Sequence, residues 1–338
     1  MDNFIKLENH GFIIEPIIET DYILGDNRLT ERFAFSNKVV RQDGQWDAYL
    51  PEREMQWRIG IETMNCTNYG TLNALETLHN ALYGVLSNWS ERYLGVMSGT
   101  TQNGNSANSV AETVRKAGCI PEKELPFDDT IKSWAQYYSP KPMERRYIDM
   151  GKQWLDKVNF GHEYVFQASE IIASKQERLI EALKYSPCGV SVRAWQMRNG
   201  LYWKDKGTSD NHWCCCYGYE KDKYWKIYDS YDNTNKRLEW NYDFQYAKRY
   251  FLELKIQEEK TMNKLVRKKN NKEVFLQIGN KRYWIKDEKN FSELSAGGLI
   301  GSWNAIEEVE EFATPFEGDI IGSPNLADVL KLMFGFGK

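Results

Sequence analysis

Six cysteines and four histidines are the residues of this 338-residue chain best suited to nucleophilic and general-base chemistry. Cys66 stands apart among them. It lies in Met64-Asn65-Cys66-Thr67-Asn68-Tyr69-Gly70, just ahead of Leu72, Leu75, Leu78, Leu82 and Leu86. Those spacings of three and four draw one stripe along an α-helix. A thiol in the first helical turn meets unpaired backbone N–H groups and the positive end of the helix dipole, and both favour the thiolate. Cys66, alone of the six, is therefore expected to carry a depressed pKa. The competing reading is a buried small hydrophobe, the commonest fate of a solitary cysteine.

A base for that thiol is sought among few candidates. His10 and His79 lack partners of suitable type and spacing, and His162 after Gly161 reads as a surface or loop residue. His212 opens the run Asp210-Asn211-His212-Trp213-Cys214-Cys215-Cys216-Tyr217-Gly218-Tyr219, and a second β-type run, Lys223 to Tyr228, leads to Asp229-Ser230-Tyr231. Read as an antiparallel hairpin, the two runs bring His212 and Asp229 to the same end, where the carboxylate can orient the ring. The cysteine triplet also suggests a metal, with His212, Cys214 and Cys216 on one strand face. Strand residues two apart are separated by about 6.6 Å, too far for three in a row to meet zinc at about 2.3 Å. No cofactor or metal is implied.

In this order the motifs resemble the papain-like cysteine peptidases. The pieces that carry the resemblance are Cys66 before a long helix, Asn211-His212, Gly218-Tyr219, Tyr224-Trp225 and Asp229-Ser230-Tyr231. Between them, Asn103-Gly104-Asn105 and Gly118-Cys119-Ile120-Pro121 through Phe127 are similar to the family's glycine-rich substrate loop and its sequel. Glu177 to Leu183, Gly189 to Val192 and Gly200-Leu201-Tyr202 match the elements before its histidine. The resemblance spans about residues 15 to 250; each motif is weak alone, and the five in order are specific. It implies an α+β fold with a helical half, an antiparallel β half and the active-site cleft between them. It further implies Cys66, His212 and Asp229 as catalytic residues, with aspartate where the family has asparagine and Tyr231 shielding the contact where the family has tryptophan. Asn103, Gly104 and Asn105 would bind extended substrate backbone.

The resemblance also asks for a glutamine to complete the oxyanion hole, six residues before the cysteine. Gly60 occupies that position, and Gln56 is the nearest glutamine upstream. Gln56 is expected to deliver its amide with Arg58 to Met64 looping outward; an ordinary solvated glutamine is the alternative. Residues 1 to 50 are short mixed runs broken by glycines, read as a mature amino-terminal strand and wrap rather than a helical propeptide, so activation by propeptide removal is not expected. Ser106 or Asn105 is a natural N-cap for a helix over Ala107 to Val114, with Gly118 as its C′ glycine. Met143 to Val158 reads as a helix, and Ser174-Lys175-Gln176-Glu177 as a capping box opening another.

Composition bounds the rest. The chain is 41% hydrophobic, enough for a sizeable core, and a net charge of −4 with mixed signs carries no nucleic-acid or polybasic membrane signal. No apolar run approaches the roughly 20 residues of a membrane span, and the start lacks the apolar core of a secretory signal. The cysteines form no disulfide framework, and Thr63 stands where the resemblance implies that secreted relatives carry a bridging cysteine. A cytoplasmic or virion-associated protein of viral or bacterial source is expected. Residues 1–255 read as the peptidase domain and 256–338 as a small C-terminal β/α appendage. In the latter, Glu273 to Ile278 and Lys281 to Ile285 flank Gly279-Asn280 as a hairpin, a run at Trp303 to Ile306 follows, and Leu326 to Phe334 is a final helix. The appendage's aromatics read as its own core, with a docking face for a carbohydrate or protein partner as the alternative.

The expected activity is hydrolysis of peptide bonds in a polypeptide. A transglutaminase-like acyltransferase, a murein-peptide hydrolase and a catalytically silent papain-fold scaffold are the competing readings.

Overall fold

The computed structural model describes residues 10–26, 28, 38–58, 60–232, 234–255, 263–270, 273–278, 281–285 and 306–309. The chain divides into two compact units, 1–81 with 86–254, and 82–85 with 255–338.

The larger unit is α+β. A short hairpin, β1 (Trp57–Arg58) and β2 (Ile61–Glu62), leads into helix α1 (Cys66–Tyr83). Every residue of α1 from Cys66 to His79 is buried, so the helix is central rather than one-faced. Its polar side chains find partners: Thr71 bonds the Tyr250 hydroxyl at 3.1 Å, Asn68 donates to Thr100 at 3.0 Å and His79 meets Ser87 at 2.9 Å. The helix stops before Leu86, which is 64% exposed, so the leucine stripe outruns the element.

Around α1 lie α2 (Glu91–Met97), α3 (Ala107–Ala117), α4 (Trp134–Tyr137), α5 (Arg145–Lys157) and α6 (Ile172–Leu183). Ser106 caps α3 by accepting from the Ser109 N–H at 3.1 Å, and Gly118 ends it at φ 71°, as the spacing predicts. The capping box expected at Ser174 is not made. Helix α6 starts two residues earlier, and the Ser174 hydroxyl bonds Glu170 instead.

The β half is an eight-stranded sheet of order β3-β10-β4-β7-β8-β9-β6-β5. Its strands are β3 (Val158–Tyr164), β4 (Cys188–Val192), β5 (Gln196–Arg198), β6 (Leu201–Trp203), β7 (His212–Glu220), β8 (Tyr224–Tyr228), β9 (Lys236–Glu239) and β10 (Ala247–Leu254). All pairings are antiparallel except β6 with β9. Strand β4 is buried throughout and β7 through its first seven residues, which is why their cysteines behave as small hydrophobes. His162 corrects the sequence reading. It lies buried on β3 between Glu112 at 3.1 Å and Lys248 at 3.1 Å, and burial lowers its pKa to about 4.

The second unit contains β11 (Asn263–Lys268), β12 (Val274–Ile278), β13 (Lys281–Ile285) and β14 (Glu307–Val309), in the order β13-β12-β11-β14. The β12–β13 hairpin closes with Ile278 opposite Lys281, the two-residue loop the sequence predicts. The Trp303 to Ala305 part of the expected run and the helix over Leu326 to Phe334 lie outside the described residues. Among the described residues no helix is long and apolar enough to cross a membrane.

Gly70 sets how closely α1 lies on β7. A Cβ there would sit 2.8 Å from Trp213 Cδ1 and 3.0 Å from the Trp213 carbonyl oxygen. Gly70→Ala should therefore cost about 1–3 kcal/mol of stability by overpacking, measured as a lower denaturant midpoint. An unchanged midpoint would mean that the helix and strand can part freely.

Candidate active site

The site begins with the β7–β8 hairpin. Antiparallel pairing places Cys215 opposite Tyr228, so His212 at the start of β7 and Asp229 just past β8 arrive at one end. His212 Nε2 and Asp229 Oδ1 are 2.7 Å apart, and neither side chain is exposed. The Cys214 thiol also donates to Asp229 Oδ1, at 3.5 Å. Burial alone would push the Asp229 carboxyl up. The His212 imidazole and the Lys236 ammonium outweigh it and hold the carboxyl well below the usual carboxylate range.

Cys66 opens α1 and is completely buried. It belongs to one apolar cluster with Phe12, Ala107, Tyr164, Trp213 and Tyr246. Its pKa contradicts the expectation from the helix start. Burial pushes the thiol well up, opposed by the Trp213 and Thr67 backbone N–H groups and reinforced by the negative charges of Glu62 and Asp229. The helix terminus does favour the thiolate, but desolvation wins. His212 Nδ1 makes no hydrogen bond, so a thiol–imidazole bond is not formed in this state.

Gln56 is buried rather than solvated. Its backbone oxygen accepts from the Thr63 hydroxyl at 2.6 Å and from the Thr63 N–H, closing the base of the β1–β2 hairpin. The extra residues between Gln56 and Cys66 thus leave and return as a hairpin. The side-chain oxygen of Gln56 accepts from Ser230 at 2.9 Å. Its NH₂ donates to Glu62 Oε1 at 2.8 Å and to the His10 carbonyl oxygen at 3.3 Å. Glu62 Oε1 takes the Met64 N–H as well, at 3.0 Å.

The His10 contact belongs to a feature that sequence reasoning missed. Residues 10–13, read there as part of an amino-terminal wrap, bend at Gly11 and bring Phe12 into the Cys66 cluster. The His10 N–H donates to Asn211 O at 3.1 Å, the Asn105 N–H to Gly11 O at 2.9 Å, and the Ile13 N–H to Asn105 O at 2.9 Å. Phe12 stacks on Trp213 with ring centroids 5.3 Å apart. Gly11 is required at φ 102°, since a Cβ would lie 2.2 Å from Met64 O. A Cβ at Gly104 would lie 1.9 Å from Gly11 O. Gly104 and Asn105, expected to hold extended backbone, therefore hold the chain's own; Asn103 is exposed at the edge of that loop.

Two more residues border the His212–Asp229 pair. Trp195 meets the His212 ring edge-on with centroids 5.7 Å apart, closer than Tyr231 at 6.2 Å. Lys236 Nζ lies 2.7 Å from Asp229 Oδ2. Donor atoms of His212, Cys214 and Asp229 fall within 4.8 Å of one another, a spacing a metal could use. Asp229 already serves His212, Cys214 and Lys236, and a buried ammonium at its second oxygen repels a cation. A second group, Glu54, Glu91 and Glu122, is equally close. Burial raises Glu91, and Glu122 is pushed up to about 8 by burial and the Glu54 charge.

No protein-family model matches the sequence, and no curated protein matches it. Among solved structures, the chain is similar to the cysteine protease Amb a 11, a ragweed pollen allergen, in its proform. That match has 17% identity over 67% of this chain and 73% of the other, at a TM-score of 0.46. It is also similar to digestive procathepsin L 3 of the Tenebrio molitor larval midgut, at 15% identity over 69% and 83%, TM-score 0.45. A third likeness is to the bromelain protease from Ananas comosus in complex with the E64 inhibitor, at 15% identity over 62% and 98%, TM-score 0.43.

The seating of residues 10–13 should depend on pH. Burial above all, with the His212 charge and Arg193 adding and Asp229 opposing, lowers the His10 pKa to about 3. In a released segment it would return to about 6.5. The seated form binds fewer protons, so its advantage is complete above pH 6.5 and is lost as pH falls from 6.5 toward 3. Hydrogen-exchange protection of the Ile13 and Asn105 amides, corrected for intrinsic rates, should drop about thirtyfold between pH 7 and pH 5. In His10→Gln the drop should vanish. Equal protection at both pH values in the unmodified chain would mean that neutral His10 does not hold the segment.

Proposed function

We propose that the chain is a cysteine peptidase, with Cys66 as nucleophile, His212 as base and acid, and Asp229 as the group that orients His212. The observation that carries this reading is what lies over Cys66. A polypeptide backbone is bound there by Asn105 and Asn211, with one of its carbonyl oxygens on the Gln56 amide. A cleft that seats its own backbone in this way is built to seat another.

In the reaction, Nδ1 of His212 takes the Cys66 proton and the sulfur attacks the scissile carbonyl. The oxyanion is met by the Cys66 backbone N–H and the Gln56 amide. The imidazolium then gives its proton to the departing amine, and water, deprotonated by the same nitrogen, hydrolyses the thioester. Asp229, 2.7 Å from Nε2, fixes the ring and leaves Nδ1 for the thiol proton. The segment 10–13 covers the nucleophile and occupies Gln56, so the form described here is closed. A polypeptide substrate competes with that segment. The contact between Glu62 and Gln56 favours a second reading, a silent binding module whose donor site is filled by its own carboxylate.

The two readings separate on a fluorogenic peptide library. Gly11→Val cannot seat the segment, because its side chain would meet Met64 O. It should hydrolyse peptides at least tenfold faster than the unmodified chain. Cys66→Ser in the same background should abolish hydrolysis, and Gln56→Ala should slow it about a hundredfold. A folded Gly11→Val protein without thiol-dependent hydrolysis would decide for the binding module.

A further inference from the structure

Asp229 serves two buried partners. Its Oδ1 faces His212 Nε2 at 2.7 Å, and its Oδ2 faces Lys236 Nζ at 2.7 Å. Lys236 is 1% exposed, while its other carboxylate, Asp232 at 2.7 Å, is 45% exposed. Lys236 opens β9, which pairs with β8 so that Lys236 stands opposite Ile227, two residues before Asp229. One aromatic ring covers both partners. Trp195 lies 4.9 Å from Lys236 Nζ in a cation–π contact, and its ring is edge-on to His212.

We infer that Lys236 is a fourth member of this site, a positioning residue that cancels the Asp229 charge so that His212 faces an acceptor of near-zero net charge. A buried ammonium costs too much to keep without a paired carboxylate, and a lone buried carboxylate beside an imidazole would hold the imidazolium tightly. Paired, the two give His212 a strong, fixed acceptor without that hold. Lys236 touches neither thiol nor substrate and acts through Asp229. The other titratable groups facing His212 are Tyr231 beyond β8, Cys214 on its own strand, Glu62 on β2, and His10 with Arg193 beside it. None of these is a buried cation within ion-pair reach of Asp229.

The inference deepens the peptidase reading and rests on it for its catalytic meaning, so its test reads the imidazole directly. The pH midpoint of the His212 ring nitrogen signals is followed by NMR in the full chain, assigned by loss in His212→Asn. In Lys236→Met the midpoint should rise by about one unit or more relative to the unmodified chain. Asp229→Asn/Lys236→Met should return it to within about half a unit. Lys236→Arg and Asp232→Asn should leave it in place, although Asp232→Asn removes the other tether of the same lysine. If Lys236→Met does not fold, Lys236→Gln keeps a donor without the charge and should show the same rise. An unmoved midpoint in a folded neutral variant would overturn the inference and leave Lys236 as a tether of β9. The expected shift in a chain that hydrolyses no peptide would fault the peptidase reading alone.

Discussion

The structure depends on a buried carboxylate that has no water to answer to. Asp229 is wholly enclosed, bonded on one oxygen to His212 and ion-paired on the other with Lys236. Removing any one of the three would leave a charge or a strong acceptor stranded in a low-dielectric interior, at a cost of several kcal/mol. The β7–β8–β9 register brings these three together, since each sits at or next to the end of a strand. The same requirement explains why β7 is packed so tightly on α1. Gly70 lets the helix approach Trp213, and Trp213 follows His212 in the chain.

Against this fixed half stands a half whose state is conditional. Cys66 has a helix start and two backbone N–H groups in its favour, yet burial overrides them while Phe12 lies in the same cluster. Gln56 has a free hydrogen-bonding geometry only when the His10 carbonyl and the Glu62 carboxylate leave it. Cys66 and Gln56 are therefore restrained by the same short segment and its neighbour. Displacing residues 10–13 would rehydrate the thiol, free Gln56 from the His10 carbonyl and expose the backbone groups of Asn105 and Asn211 in one event. Neutral His10, buried against His212 and Tyr231, makes that event sensitive to acid.

Much of this was readable from residue types in order. Cys66 before a helix, His212 opening a strand and Asp229 closing its neighbour need only hairpin geometry to predict the His212–Asp229 contact. The excursion between Gln56 and Cys66 follows from counting residues. What could not be read came from contacts set by tertiary register. Lys236 looks like any charged strand residue until β9 pairs with β8. His162 looks exposed until α3 brings Glu112 and β10 brings Lys248. The helix start of Cys66 is legible in the sequence, but the depth of burial that overrides it is not. The segment 10–13 was missed for a related reason. Gly11 signals a turn or a close approach, and only the fold says that the close approach is to Met64.

The central claim is that Cys66 is a nucleophile whose reactivity depends on His212. An epoxide-type thiol inhibitor, applied to the Gly11→Val chain and followed by peptide mapping of the adduct, tests it most directly. The account predicts a single adduct on Cys66, and its loss when His212 is replaced by alanine with the fold intact. An adduct formed first on Cys119 or Cys188, or one on Cys66 that survives loss of His212, would contradict it.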